Sequence, residues 1–299
     1  MENQFSEGQL VESQWGDVEL CSLANGLKQL KVSHVTCNAR VSLYGGHVLS
    51  WQPTGEQEVF WLSQDSLYKP EKAIRGGIPL CWPWFGGLQG EDGLNVGNHG
   101  FARQVQWQLD DVTVTETQVE LILSWQGKQQ HNLWPYPAKL TQKLTFSSEF
   151  TQQLTIENHS DSDVEFTGAL HSYFAVNNPA DVTVSKLDNV SFDCKINTLT
   201  QQTDVLPNCV GPIDRIYSSN EIMEVIDKGL GRIIRIEPLN TEQWVLWNPG
   251  QEIAQSMSDI HVGGENQFVC LEAASTNWQT VNANSERTMG QRISISELK

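Results

Sequence analysis

Basic residues are scarce: the 299-residue chain carries 19 Lys+Arg against 36 Asp+Glu, a net charge of -17 at pH 7. Such a surface repels nucleic-acid backbones and anionic membranes unless a local basic patch intervenes, and no run of Lys or Arg supplies one. Nucleic acid and membrane are therefore excluded as partners. No uninterrupted apolar run exceeds four residues, whereas a bilayer-spanning helix needs about 20. The start, Met1-Glu2-Asn3-Gln4-Phe5-Ser6-Glu7, lacks the basic and apolar regions of a secretory signal. The six cysteines (Cys21, Cys37, Cys81, Cys194, Cys209, Cys270) have no paired spacing, which suits reduced core thiols and a cytoplasmic location better than a disulfide framework. Also missing are C-x-x-C, H-E-x-x-H, G-x-x-x-x-G-K-[ST] and G-x-S-x-G. Zinc, ATP and NAD have no support, and the expectation is a protein with no cofactor and no metal.

Apolar material is ample, with 39% hydrophobic residues and 11 tryptophans, so a sizeable core is expected and disorder is not. Its arrangement has a period of two. Ala138, Leu140, Leu144 and Phe146 alternate with Lys139, Thr141, Lys143 and Thr145, as in a half-buried antiparallel strand. Similar runs occur at Leu154/Ile156, Val182/Val184, Ile233 to Ile236, Trp244 to Trp247 and Ile293/Ile295, with Asn, Asp, Gly and Pro clusters between them. Regular short strands with turn punctuation predict an all-β sandwich or barrel. One short helix is expected at Asp65 to Lys72. No short repeat and no Pro/Ser-rich linker divides the chain, so one continuous domain over residues 1–299 is the simplest organisation. The stretch Gly76 to Gly100, with six glycines from Gly86 onward, reads as a long irregular loop of the kind that carries function.

Polar residues in costly places mark the candidate chemistry. Within Asn266 to Ala274, alternation puts Glu272 on one face with Phe268, Cys270 and Ala274. Burial there raises a carboxyl pKa and makes a base; the competing reading is a strand-end glutamate turned to solvent or ion-paired. His171 shares a face with Ala169 and Tyr173 and can act as a proton donor near neutrality, or serve as a hydrogen-bonded structural residue. Arg75 and Arg103 flank glycine-rich text, Arg75-Gly76-Gly77 and His99-Gly100-Phe101-Ala102-Arg103, where a ligand can approach the backbone and a guanidinium can grip hydroxyls, carboxylate or phosphate. Structural ion pairs are the alternative for both. Trp82, Trp84 and Phe85 read mainly as core. Asp214, after Gly211-Pro212, either binds a ligand, caps its turn or pairs with Arg215.

Taken in order, Arg75-Gly76-Gly77-Ile78-Pro79 with Trp82-Pro83, His99-Gly100-Phe101-Ala102-Arg103, Leu170-His171-Ser172-Tyr173-Phe174, Asp214-Arg215 and Leu271-Glu272-Ala273 resemble the aldose 1-epimerase, or galactose mutarotase-like, superfamily. The similarity is greatest to its hexose-6-phosphate mutarotase (glucose-6-phosphate 1-epimerase) branch and covers roughly residues 30 to 295, leaving residues 1–25 as an N-terminal extension. The resemblance implies a large two-layer antiparallel β-sandwich with an open carbohydrate cleft. It implies Glu272 as general base and His171 as general acid in opening and reclosing the ring of a hexose 6-phosphate. By the same resemblance Arg75 and Arg103 hold the phosphate, Asp214 binds a sugar hydroxyl, and His99 and Asn98 line the site. Relatives often carry glutamine in place of Asn98. The expected partner is a small sugar phosphate, acted on by a monomer. The rivals are an epimerase of neutral hexoses, a non-catalytic carbohydrate-binding or sensing protein, and a glycoside hydrolase, which would need a second carboxylate beside Glu272.

Overall fold

A computed structural model describes residues 5–89 and 95–299. Among them every ladder between paired strands is antiparallel. Gly8–Glu12, Gly16–Ser22, Lys28–His34, Cys37–Ser42 and His47–Pro53 form a five-stranded sheet in sequence order. The segment expected as an N-terminal extension thus contributes two strands to it, with Val18 and Leu20 in the core. An eight-stranded sheet has Glu286–Glu297, Glu149–Asn158 and Ala138–Phe146 near its centre. In Ala138–Phe146 buried and half-buried residues alternate without a break. That is the pattern read from the sequence, except that the buried face also includes Gln142.

The third sheet positions the chemistry. Its central strand, Phe268–Val281, lies between Gln243–Asn248 on one side and Val164–Leu170 and Tyr173–Ala175 on the other. Residues 268–275 of that strand are all buried. Val269, Leu271 and Ala273 enter the main core between the sheets, whereas Phe268, Cys270 and Ala274 join smaller clusters on the opposite face. A strand covered on both faces loses its polar alternation, so Glu272 emerges among apolar neighbours.

The three sheets meet through aromatic rings. Phe150 of the eight-stranded sheet lies 5.7 Å from Trp51 of the five-stranded sheet, 5.8 Å from Phe60 and 5.0 Å from Phe146, centroid to centroid. Phe60 in turn lies 5.9 Å from Phe174 of the third sheet. The result is the antiparallel sandwich that the family resemblance implied and one of the two all-β forms that periodicity left open, and the described cysteines are all free thiols.

Two local expectations fail. Residues 65–72 form turns and not a helix. Pro70 restricts the residue before it and removes a donor, and Tyr68 (φ 38°) and Glu71 (φ 66°) adopt the left-handed backbone that ends helical winding. The α-helix of the described chain is instead Gly250–Ser256. The stretch Gly76 to Gly100 is less irregular than its composition suggests: Leu80–Cys81 extends the third sheet, Gly87–Gln89 pairs with Asn95–Asn98, and Trp82 bridges Gly100. Its residues 90–94 lie outside the described part. No helix of the described residues is long and apolar enough to cross a membrane.

Because Phe150 is fully buried and packs against the rings of Trp51, Phe60 and Phe146, Phe150→Ala should cost about 3–5 kcal/mol of stability. Urea unfolding measures this; a loss under about 1 kcal/mol would show that the site collapses freely around the missing ring.

Candidate active site

The face of Phe268–Val281 opposite the main core forms the floor of a cavity of about 600 Å³. Its lining includes all seven residues singled out from the sequence: Arg75, Asn98, His99, Arg103, His171, Asp214 and Glu272. Strand order explains the gathering. Glu272 pairs across the sheet with Val245, and Asp214 with Trp247 on the next strand out. On the other side, Val164–Leu170 stops and Tyr173–Ala175 resumes against the same central strand. His171 occupies the interruption and faces the cavity, while the next residue, Ser172, turns its hydroxyl inward toward Gln291.

His171 Nε2 stands 3.3 Å from Glu272 Oε1, with the two side chains 9% and 1% exposed. Burial, reinforced by the charge of Asp214, holds the Glu272 carboxyl well above the ordinary range. Burial, reinforced by His99, Arg103 and Arg75, holds His171 well below its ordinary value. Both shifts favour an electrically neutral pair with one proton between its facing atoms. Among the described residues Glu272 Oε2 and His171 Nδ1 have no hydrogen-bond partner. The imidazole lies flat on Tyr173, 4.8 Å between centroids and 9° between planes.

The two arginines differ. Arg75 donates through Nε to Asp259 Oδ2 at 3.1 Å and through Nη1 to the Tyr173 hydroxyl at 2.8 Å, with Nη2 also 3.1 Å from Asp259. Its charge is already balanced. Arg103 donates from Nη2 to the Asn98 carbonyl at 2.8 Å, and among the described residues it makes no ion pair and its buried Nε–H finds no partner. A buried guanidinium with unused donors is prepared for an anion. Asn98 therefore acts on this side through its backbone, its own side chain being exposed at the rim. His99 receives the Gly86 N–H on Nδ1 at 3.2 Å, and burial with the nearby arginines lowers its pKa well below normal. It is a neutral imidazole with its proton on Nε2.

Asp214 does not pair with Arg215, which points to the opposite face and bonds Asp204 at 2.7 and 2.9 Å. Burial raises the Asp214 carboxyl to about 6, opposed by Lys195. Of the aromatics, Trp82 and Trp84 are core, as expected, and Phe85 lines the cavity. Sequence reasoning missed Asp193, Lys195, Trp247, Thr276 and Asn277 among the lining residues, and Asp259 behind Arg75. Lys195 follows the short strand Phe192–Cys194, and nothing in its local text distinguishes it from a solvated surface lysine. Among the described residues no cluster of His, Cys, Asp or Glu has the grouping of a metal site.

Comparison with known proteins identifies the family. The profile of the aldose 1-epimerase family matches residues 28–296. A protein of Escherichia coli K12 provisionally named glucose-6-phosphate 1-epimerase is 35% identical over 282 residues, 91% of each chain. A crystal structure provisionally described as a mutarotase from Salmonella typhimurium superposes with a TM-score of 0.86 at 31% identity, covering 97% of this chain and 96% of that one. A galactose mutarotase-like protein of Clostridium acetobutylicum, 11% identical, shares the fold with a TM-score of 0.72 over 95% of this chain and all of its own. The chain belongs to the aldose 1-epimerase family, as the ordered motifs indicated, and is an epimerase that interconverts sugar anomers.

Asp214 also yields a stability test. Its folded pKa, about 6, exceeds the ordinary 3.8, so the proton is bound more tightly by the folded state and stability falls as pH rises from about 4 through 6. Asp214→Asn escapes that loss. Relative to wild type it should gain up to about 3 kcal/mol at pH 7 and little near pH 4. Urea unfolding of both proteins at the two pH values checks this, and an equal difference at both would show that the carboxylate is not destabilised by burial.

Proposed function

We propose that the chain is a hexose-6-phosphate 1-epimerase, acting on glucose 6-phosphate, with Glu272 as general base and His171 as general acid. The observation that carries this reading is the buried pair itself. Ring opening removes a proton from the anomeric hydroxyl and adds one to the ring oxygen, and both oxygens are bonded to the same carbon. An acceptor and a donor 3.3 Å apart can serve the two together.

The proton balance closes without a cofactor. With the shared proton on His171, Glu272 is a carboxylate that takes the hydroxyl proton while the imidazolium protonates the ring oxygen. Ring opening leaves Glu272 protonated and His171 neutral, which is the form burial favours. The C1–C2 bond rotates, Glu272 returns its proton to the aldehyde oxygen as His171 takes the proton from the ring-closing hydroxyl, and the other anomer results. In this reading Asp214 accepts from a sugar hydroxyl, and His99 donates through Nε2 at a neutral, fixed tautomer. Asn98 and Arg75 line the site. Arg103, with donors to spare, supplies the main grip on phosphate, with Arg75 beside it.

General acid or base contributions are typically 10²–10⁴, so Glu272→Gln and His171→Asn should each lower the anomerisation rate of glucose 6-phosphate by about 10² or more with the fold intact. Polarimetry is decisive, since an epimerase equilibrates anomers without cleaving a bond. Near-normal turnover by either folded variant would remove the mechanism, and glycosidic cleavage would favour a hydrolase.

A charge-assisted contact is worth about 1.5–3 kcal/mol, so Arg103→Ala should weaken glucose 6-phosphate binding roughly 10- to 150-fold and free glucose less. Arg75→Ala should act in the same direction. Equal losses on both sugars would assign the arginines to the ring or the fold, and the substrate would be a neutral hexose.

The pH dependence has a defined sign. The pair carries one proton between the lowered ionisation of His171 and the raised one of Glu272. Turnover at saturating sugar should therefore stay flat across neutrality, falling in acid when the pair gains a second proton and in alkali when it loses the first. A limb at an unperturbed histidine pKa, about 6.5, that persists in Asp214→Asn, which removes the carboxyl titrating at about 6, would contradict the neutral pair.

A further inference from the structure

Gln142, Gln152 and Gln291 are each fully buried in the eight-stranded sheet, on its face toward the core. They are consecutive links of one hydrogen-bonded chain. Ser172 Oγ donates to Gln291 Oε1 at 3.2 Å, and Gln291 Nε2 donates both to Ser172 Oγ at 2.9 Å and to Gln152 Oε1 at 3.1 Å. Gln152 Nε2 donates to Gln142 Oε1 at 2.5 Å, and Gln142 Nε2 donates to the Gly46 carbonyl at 2.6 Å. The amides run head to tail across three neighbouring strands.

Both ends lead to residues that line the cleft. Ser172 follows His171 at the interruption in the third sheet. At the far end Gly46 precedes His47, whose Nε2 donates to the Gly76 carbonyl at 2.6 Å, next to Arg75. Burial pulls the His47 pKa down to about 4, so this link stays a neutral donor. The close approach excludes a side chain at residue 46, where a Cβ would lie 2.8 Å from the Trp107 ring and 3.0 Å from Gln142 Nε2, and where φ is +54°.

Stability gives no reason for this chain. Buried amides that satisfy one another contribute little net, and apolar groups of the same shape can replace a whole satisfied network at no loss. Directional bonds do what apolar packing does not: they set one register between the parts they join.

We propose that the chain Ser172–Gln291–Gln152–Gln142–Gly46 is a positioning device for the epimerase reaction, fixing the strand interruption that carries His171 relative to the loop that carries Arg75. This deepens the function proposed above and rests on its reading of His171 as the acid. Gln142, Gln152, Gln291 and Ser172 touch no substrate; they act through the residues at the two ends.

The test uses the full-length protein and glucose 6-phosphate. The triple variant Gln142→Leu/Gln152→Leu/Gln291→Met removes the chain without leaving one amide to strand another, and Ser172→Ala removes only the link at the His171 end. Small misplacements of reacting groups cost up to about 10² in rate. Both variants should therefore lose about 10- to 100-fold in kcat, Ser172→Ala with KM unchanged and with only the modest fall in thermal midpoint that an unpaired Gln291 Oε1 brings. His171→Asn, run alongside, separates the two claims. If it is inactive while Ser172→Ala and the folded triple variant keep wild-type kcat, the positioning role is overturned and the acid/base reading survives. If His171→Asn keeps its activity, both fall. A loss in which kcat, KM and thermal stability change together in Ser172→Ala also overturns positioning, since that is the signature of a merely structural bond.

Discussion

The arrangement of the site depends on one constraint: residues 268–275 of the strand Phe268–Val281 are covered on both faces. On one side Val269, Leu271 and Ala273 complete the main core. On the other, Phe268 and Cys270 pack with Trp61, Tyr173, Ala254 and Ile260, and Ala274 with Cys81, Ala169, Ile216 and Val245 of the neighbouring strands. A carboxyl placed in such a strand cannot be hydrated as it would be at an edge, so the neutral form is favoured. The interruption beside it supplies His171, placed to share its proton. Two groups that would each be costly to charge alone form a unit whose total charge stays zero while the proton moves.

The same burial orders the cations around that unit. Arg75 lies close enough to bias His171, yet its own charge is matched by Asp259, and through Tyr173 it also braces the face on which the imidazole rests. Arg103 has no such partner among the described residues. A protein of net charge -17 can thus present local positive potential inside a cleft, because over a few ångströms an unscreened buried guanidinium outweighs diffuse surface charge beyond the screening length of about 8–10 Å.

Much of this was legible in the sequence, for reasons that particular residues make clear. Period-two text such as Ala138 to Phe146 reports a strand because one face is buried and one wet. Glu272 stood out because alternation puts it with Phe268, Cys270 and Ala274, and the structure keeps them together. Tertiary pairing stayed hidden. Asp259 lies 184 residues from Arg75, and no local pattern announces that one neutralises the other. Residues 65–72 misled because polar and apolar residues there mimic a helical turn, while Pro70 and the left-handed backbone at Tyr68 and Glu71 decide otherwise.

The glutamines show the limit of pattern reading in its sharpest form. Gln142 occupies an inward position in a strand whose other inward residues are Ala138, Leu140, Leu144 and Phe146, and on pattern alone it reads as an interruption. Gln152 lies between Phe150 and Leu154 in the same way. Each amide would be expensive in an apolar core if left alone, so their burial is tolerable only because each completes the next. That completion requires antiparallel register between Gln152 and Gln291, the diagonal approach of Gln142, and a carbonyl left bare at Gly46. Cooperative satisfaction across three strands belongs to the assembled sheet and to no segment of it, which is why residues that look like errors in a local pattern become, once paired, the parts that tie one wall of the cleft to the other.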